Sequence, residues 1–221
     1  MSKQIVAIDG PAGSGKSSVS KQAARSLGWG YLDTGAAYRA LTWASQHLDG
    51  FAVANLPGKD LRQDFAYAIS TDPDNYWVRV GETDVTEAIR SAEVAEAVSA
   101  VASVPSVREF MRWLTRNEVE QCQRPGIVVE GRDITTVVLP DAQTRLLLTA
   151  SEEVRLRRRS AEIGATESSS VSRQVTQRDA SDAKVVNFMK PAEGVTLIDS
   201  SDLNFAQTVD AVLVARRAAR E

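Results

Sequence analysis

Ile5-Val6-Ala7-Ile8-Asp9-Gly10-Pro11-Ala12-Gly13-Ser14-Gly15-Lys16-Ser17-Ser18 is the stretch on which the fold turns. Its first four residues are apolar without a break and stop at Asp9-Gly10, the pattern of a strand buried on both faces. From Gly10 to Ser17 the chain reads G-x-x-x-x-G-K-[ST] in full. Beyond it, Val19, Ala23 and Leu27 recur at four-residue spacing, which predicts a helix over 16–27 with Gly28 at its C-terminal end. Strand, glycine-rich turn and helix, in that order, are the context the motif requires. Glycines at 10, 13 and 15 let the backbone curl and aim its N–H groups at one anion, and the helix adds the positive end of its dipole. Lys16 supplies a mobile point charge for β- and γ-phosphates, and the Ser17 hydroxyl is suited to ligate Mg²⁺. Gly10, Pro11, Ala12, Gly13, Ser14, Gly15, Lys16, Ser17 and Ser18 are therefore the expected cradle for the phosphates of a nucleotide.

Working outward, strands and helices alternate. Tyr31-Leu32 reads as a second strand and 36–48 as a second helix. The pattern then changes to period two: Tyr76-Trp77-Val78-Arg79-Val80, the turn Gly81-Glu82 and 83–86 resemble a β-hairpin. Ser91 is placed to cap a helix that runs to Val104 before Pro105, and a longer helix follows over 106–122. Ile127-Val128-Val129 and 144–149 are further buried strands. A helix over 152–162, a small polar loop over 164–170 and a helix over 171–184 come next. A strand over 195–199 and a helix over 205–219 close the chain. Alternation of this kind predicts an α/β fold, with a parallel sheet and helices on both faces. The hairpin interrupts it and reads as an insertion. One domain is expected, with a core of about 1–50, 106–150 and 185–221, an inserted lobe of about 51–105 and a further helical segment of about 151–184.

Composition narrows the chemistry. The chain has 221 residues, 43% of them hydrophobic and 25% charged, with a net charge of −3. A slightly acidic chain is a poor non-specific nucleic-acid binder. One cysteine, Cys122, precludes an intrachain disulfide and suits the cytoplasm. With one histidine, His47, it cannot build a zinc site, and the lone histidine argues against a Ser-His-Asp or Cys-His hydrolase. No apolar run reaches the ~18 residues of a membrane span, and no signal-peptide pattern precedes the first strand. A GTPase would carry Asn-Lys-x-Asp, yet Asn55, Asn75, Asn117, Asn187 and Asn204 all lack a following lysine. A small-molecule kinase remains, with an acceptor to be bound opposite the phosphate loop.

Phosphoryl transfer asks for positioning and positive charge, so arginines at strand ends are the candidates. Asp33-Thr34-Gly35-Ala36-Ala37-Tyr38-Arg39 follows the second strand, with Thr34 placed to cap the next helix. An arginine near a helix N-terminus costs about 0.3–1 kcal/mol, a penalty that an anionic ligand removes. Arg108 opens the helix after Pro105 in the same way. Arg112 and Arg116 extend its stripe and read as a solvated face. Glu130-Gly131-Arg132-Asp133 leaves a buried strand. Arg178 and Asp182 lie four apart on a late helix, the spacing of an ordinary ion pair.

In these blocks, with Val98-Ser99 through Val107-Arg108-Glu109 between them, the sequence resembles the bacterial cytidylate kinases, P-loop enzymes that phosphorylate CMP and dCMP. The resemblance covers nearly the whole chain, and Asp-Thr-Gly-Ala-x-Tyr-Arg together with Gly-Arg-Asp is its most specific part. It implies transfer of the γ-phosphoryl group of Mg-ATP to CMP or dCMP. Arg39 and Arg132 would hold the acceptor's phosphate, Ser99, Arg108 and Asp133 would read the cytosine, and Thr34 would sit beside the base or its phosphate. Arg178 and Asp182 would meet the ribose. Arg155, Arg158 and Arg159 would reach the phosphates from a helical lid. Beside the resemblance, an acidic residue, Asp33, or Glu130 through water, is expected to help place the metal. Catalysis would rest on Lys16, Arg39, Arg132 and Arg158. A monomer is expected. Two other readings stay open on the residues alone: the same fold with another acceptor, and a nucleotide-gated binding module using the run Arg155-Leu156-Arg157-Arg158-Arg159.

Overall fold

Among the described residues, five strands form the central sheet, in the order β2-β6-β1-β7-β8. A computed structural model describes residues 3–163 and 190–219. The strands are β1 (Gln4–Asp9), β2 (Gly30–Asp33), β6 (Gly126–Gly131), β7 (Thr144–Thr149) and β8 (Thr196–Asp199). β1 pairs in parallel with both β6 and β7, and β7 in parallel with β8. Val6-Ala7-Ile8 and Ile127-Val128-Val129 are fully buried. These uninterrupted apolar runs belong in strands covered on both faces. The expected α/β architecture is thus present. β1 lies where the order reverses, with β6 and beyond it β2 on one side and β7 and β8 on the other. Ligands of open α/β sheets bind outside the carboxyl ends of strands at such a point.

The chain divides into two compact units, Leu32–Cys122 and the remainder on either side of it. The first unit contains the sheet strands other than the end of β2, with α1 (Lys16–Leu27), α6 (Glu152–Ile163) and α7 (Phe205–Ala218). α1 packs on β1, β6 and α7, and α7 also packs on β7 and β8. Asn204 and Gln207 form a reciprocal capping box that starts α7. At the start of β6, Gly126 lies flat beneath the indole of Trp29, and the Arg216 guanidinium stands 4.9 Å from that ring's centre.

The second unit holds α2 (Thr34–His47), α3 (Leu61–Asp64), α4 (Ala92–Ala102) and α5 (Pro105–Gln121). It also holds an antiparallel sheet of β3 (Tyr67–Ile69), β4 (Val78–Val80) and β5 (Thr83–Asp84). The expected hairpin is β4–β5, and β3 is a third strand that the sequence pattern did not show. β3 is short, and only Ile69 of it is buried, so it carries little period-two signal. Residues 32–50 and 106–122, allotted to the core by the sequence pattern, share this unit with the hairpin. Its core stacks Phe65 on Tyr67 and sets the Phe65 ring edge-on to Phe110, 6.2 Å between centroids. Ser91 caps α4 by accepting from Val94 N at 3.3 Å, as its sequence position suggests.

Candidate active site

The phosphate loop leaves β1 and enters α1 at Lys16, as the motif requires. Its glycines serve different needs. Gly15, the residue before α1, has a φ of 82°, a left-handed backbone that glycine adopts without strain. Gly10 has no positive φ. It is required by closeness, because a Cβ there would run into the Leu148 carbonyl oxygen of β7. Ser14 is 1% exposed, and its Oγ has no hydrogen-bond partner among the described residues, an orphaned polar atom inside the loop. Lys16 Nζ folds back onto the loop and donates to the Pro11 carbonyl at 3.3 Å. Ser17 and Ser18 are exposed on the first turn of α1.

Two α6 arginines grip the outside of this loop. Arg155 Nη1 donates to the Ala12 carbonyl at 3.0 Å and is largely buried. Arg158 Nη1 donates to the Ser14 carbonyl at 3.2 Å and to Ser200 Oγ at 2.9 Å, and Nη2 donates to the Ser200 carbonyl at 2.9 Å. Burial, and then the charge of Arg157, lower the Arg158 guanidinium pKa. A guanidinium remains protonated regardless. In this structure both arginines are therefore docked on loop carbonyls. Ser200, the support of Arg158 just beyond β8, gave no signal in the sequence beyond following a strand end.

β1 and β6 end in register, Asp9 opposite Gly131, so the phosphate loop and the Arg132-Asp133 segment leave the sheet side by side. Glu130 is 2% exposed and accepts from the Tyr31 hydroxyl at 2.9 Å. Arg132 and Asp133 are half-buried, and a π-helical turn, Ile134–Val138, follows them. Asp9, which the sequence marked only as a strand end, is buried and accepts three hydrogen bonds from that turn. Burial pushes its carboxyl above the usual aspartate range, while the bonds from Thr135 and Ile134 and the charge of Lys16 act the other way.

In the second unit, Arg39 Nη2 meets Asp33 Oδ2 at 2.7 Å. Asp33, not Thr34, is the N-cap of α2: its Oδ1 accepts from Ala36 N at 3.1 Å, and Thr34 is the first helical residue. Aspartate outranks threonine as a cap, and its charge suits the helix N-terminus. Ser99 lies half-buried on α4, and Arg108 half-buried in the first turn of α5. Arg112 and Arg116 are exposed, as a solvated face requires. Tyr67 holds its hydroxyl buried and without a hydrogen-bond partner among the described residues, and burial drives its phenol pKa well upward, with Tyr76 and Asp33 adding to the shift. The expected loop over 164–170, the helix over 171–184, Arg178, Asp182 and the side chain of Arg159 lie outside the described residues.

A sequence model described as cytidylate kinase matches residues 6–218. The chain belongs to the cytidylate kinase family. A cytidylate kinase of Streptomyces avermitilis is 42% identical over 215 residues, covering 95% of this chain and 90% of that protein. One from Cutibacterium acnes is 42% identical, covering 95% and 94%, and one from Mycobacterium avium is 44% identical, covering 93% and 92%. Among solved structures, a protein from Thermus thermophilus shares the fold at a TM-score of 0.52 and 19% identity, covering 99% of this chain and 98% of its own. An uncharacterized protein from Eubacterium ventriosum does so at 0.55 and 11%, covering 98% and 99%. The match to the cytidylate kinase family contains the phosphate loop, Arg39, Ser99, Arg108, Arg132 and Asp133, all within its span. Among the described residues no helix is long and apolar enough to cross a membrane.

Proposed function

We propose that the protein transfers the γ-phosphoryl group of ATP to CMP or dCMP, giving ADP and CDP or dCDP. The observation that carries this reading is the family match across a chain whose phosphate loop has its lysine, its close-packed glycine and two arginines braced on its carbonyls. ATP's phosphates take the N–H groups of the Gly10–Ser18 loop, and Lys16 exchanges the Pro11 carbonyl for the β- and γ-phosphates. Arg39 and Arg132 hold the acceptor's phosphate, where planar guanidinium forks suit a dianion. Asp133 accepts from the exocyclic amine that separates cytosine from uracil, with Ser99 and Arg108 on the same base and Thr34 close by. Arg178 and Asp182 take the ribose. The acceptor phosphate has its second pKa near 6 and is already anionic at pH 7. No general base is needed, which agrees with a chain that has one histidine.

The donor chemistry suits a hard divalent cation: the Ser17 hydroxyl would be the direct ligand, with Asp33, or Glu130 through water, helping to place it. Mg²⁺ held there would neutralise charge on the nucleotide phosphates. We further propose that the enzyme is a cytoplasmic monomer that does not bind nucleic acid.

The test is ADP formation from Mg-ATP with purified protein across CMP, dCMP, UMP, AMP, GMP and no acceptor. Turnover with CMP and dCMP well above the others is expected, and Lys16→Ala should abolish it. Turnover led by another acceptor would overturn the roles given to Ser99, Arg108 and Asp133. ATP hydrolysis with no acceptor dependence would overturn the reaction itself.

A further inference from the structure

The carboxylate of Asp9 closes the end of β1 onto the turn that follows β6. Its Oδ1 accepts from Ile134 N at 2.8 Å, and its Oδ2 accepts from Thr135 N at 2.9 Å and from Thr135 Oγ1 at 2.6 Å. Asp9 is 3% exposed and Thr135 2%. The two N–H groups it takes are the first of the π-helical turn Ile134–Val138. Such groups have no partner within their own turn and are ordinarily satisfied by the residue before them. That residue is Asp133, and its side chain makes no capping bond. Asp9 thus performs from a neighbouring strand the capping that Asp133 would otherwise perform for its own turn. The next residue after Asp9 is Gly10, pressed against Leu148. One carboxylate therefore fixes the start of the phosphate loop and the turn that presents Arg132 and Asp133.

We infer that Asp9, acting through Thr135, is a positioning residue for acceptor recognition: it caps the 134–138 turn in place of Asp133 and sets Arg132 and Asp133 against the phosphate loop. The inference rests on the reading above that those two residues meet the acceptor. The Thr135 hydroxyl is the part of the tie that a side-chain change removes without touching the backbone. Thr135→Val keeps the volume and the N–H and leaves Asp9 one hydrogen bond short. Thr135→Ser keeps the hydroxyl.

The experiment measures kcat and KM for CMP, UMP and ATP in Thr135→Val, Thr135→Ser and Asp133→Ala, with melting temperatures alongside. A charged, buried hydrogen bond lost from the support of a binding turn should raise KM for CMP about tenfold and cut CMP-over-UMP discrimination by a similar factor. KM for ATP should stay within about twofold, and Thr135→Ser should restore CMP behaviour to within about twofold of wild type. If Thr135→Val lowers only the melting temperature, or moves the KM values for ATP and CMP together, the tie is structural and the inference fails. Asp133→Ala separates the two ideas. Loss of discrimination in Asp133→Ala without loss in Thr135→Val overturns the positioning role alone. Unchanged discrimination in Asp133→Ala overturns the acceptor reading and this inference with it.

Discussion

Gly10→Ala probes the point where fold and phosphate binding meet. The added methyl would run into the Leu148 carbonyl oxygen, with Ser14 Oγ at 3.1 Å and the Leu148 carbonyl carbon at 3.3 Å. Leu148 is fully buried inside β7, so the obstructing atom is backbone and cannot rotate away. Overpacking of this kind costs about 1–3 kcal/mol, and a backbone obstruction belongs at the upper end, about 3 kcal/mol. For a chain of this size that lowers the melting temperature by about 6–12 °C. The strain is relieved by moving the loop off β7, so KM for ATP should rise about tenfold, the equivalent of about 1.4 kcal/mol. Gly15→Ala is the control for the other kind of glycine. Its nearest obstruction is Arg158 Nη1 at 3.8 Å, so only the left-handed φ of 82° is penalised, by about 1–2 kcal/mol. Thermal unfolding followed by circular dichroism, with ATP kinetics at saturating CMP, decides the matter. A Gly10→Ala protein with wild-type melting and wild-type KM for ATP refutes the close-approach argument. So does a Gly15→Ala protein that is the less stable of the two.

Arg158→Ala removes two 2.9 Å bonds to Ser200 and the brace on the Ser14 carbonyl. It should lose about 2 kcal/mol of stability by denaturant unfolding and reduce turnover; unchanged values for both would show that the brace contributes nothing. Glu118, half-buried on α5, has its carboxyl raised above the usual glutamate range by burial. The folded state then holds that proton more tightly than the unfolded state. Its contribution is present below the unfolded value and lost as pH rises through the folded one. Glu118→Gln should therefore match wild type in acid and exceed it at neutral pH. A gain that grows in acid would contradict the sign.

The sequence patterns located most of the sheet because its strands are buried on both faces and so are written as unbroken apolar runs. Val6-Ala7-Ile8, Ile127-Val128-Val129 and Leu146-Leu147-Leu148 all read directly. The G-x-x-x-x-G-K-S loop was legible for another reason: its residue types stand at fixed local spacing between a strand and a helix, although Gly10 itself answers to a distant partner, the Leu148 carbonyl. What failed to read depends on long-range pairing. β3 has too few inward residues to show a period. The π-helical turn at 134–138 is capped by Asp9, 125 residues earlier in the chain, and no local pattern encodes such a cap. The α6 arginines read as lid residues because a run of positive charge says nothing about which carbonyls lie opposite. Their partners, Ala12, Ser14 and Ser200, are set by tertiary packing.

The α2 N-terminus shows how a local argument changes once partners are known. From sequence, Arg39 is a cation set unfavourably toward the positive end of a helix, in want of an anion. In the structure Asp33 is that anion twice over, since one oxygen caps Ala36 and the other pairs with Arg39. The pair is mostly buried, its side chains 15% and 10% exposed, so separating it without a substitute would cost more than breaking a surface ion pair. A bare electrostatic need therefore cannot be what argues for an acceptor phosphate at Arg39. A guanidinium, however, offers five donors, and the Nη2 bond to Asp33 is one of its engagements. Under the acceptor role proposed above for Arg39, Asp33 would act as a scaffold that orients the fork rather than as a competitor for it, and the acceptor's dianion would add to the pair instead of displacing it.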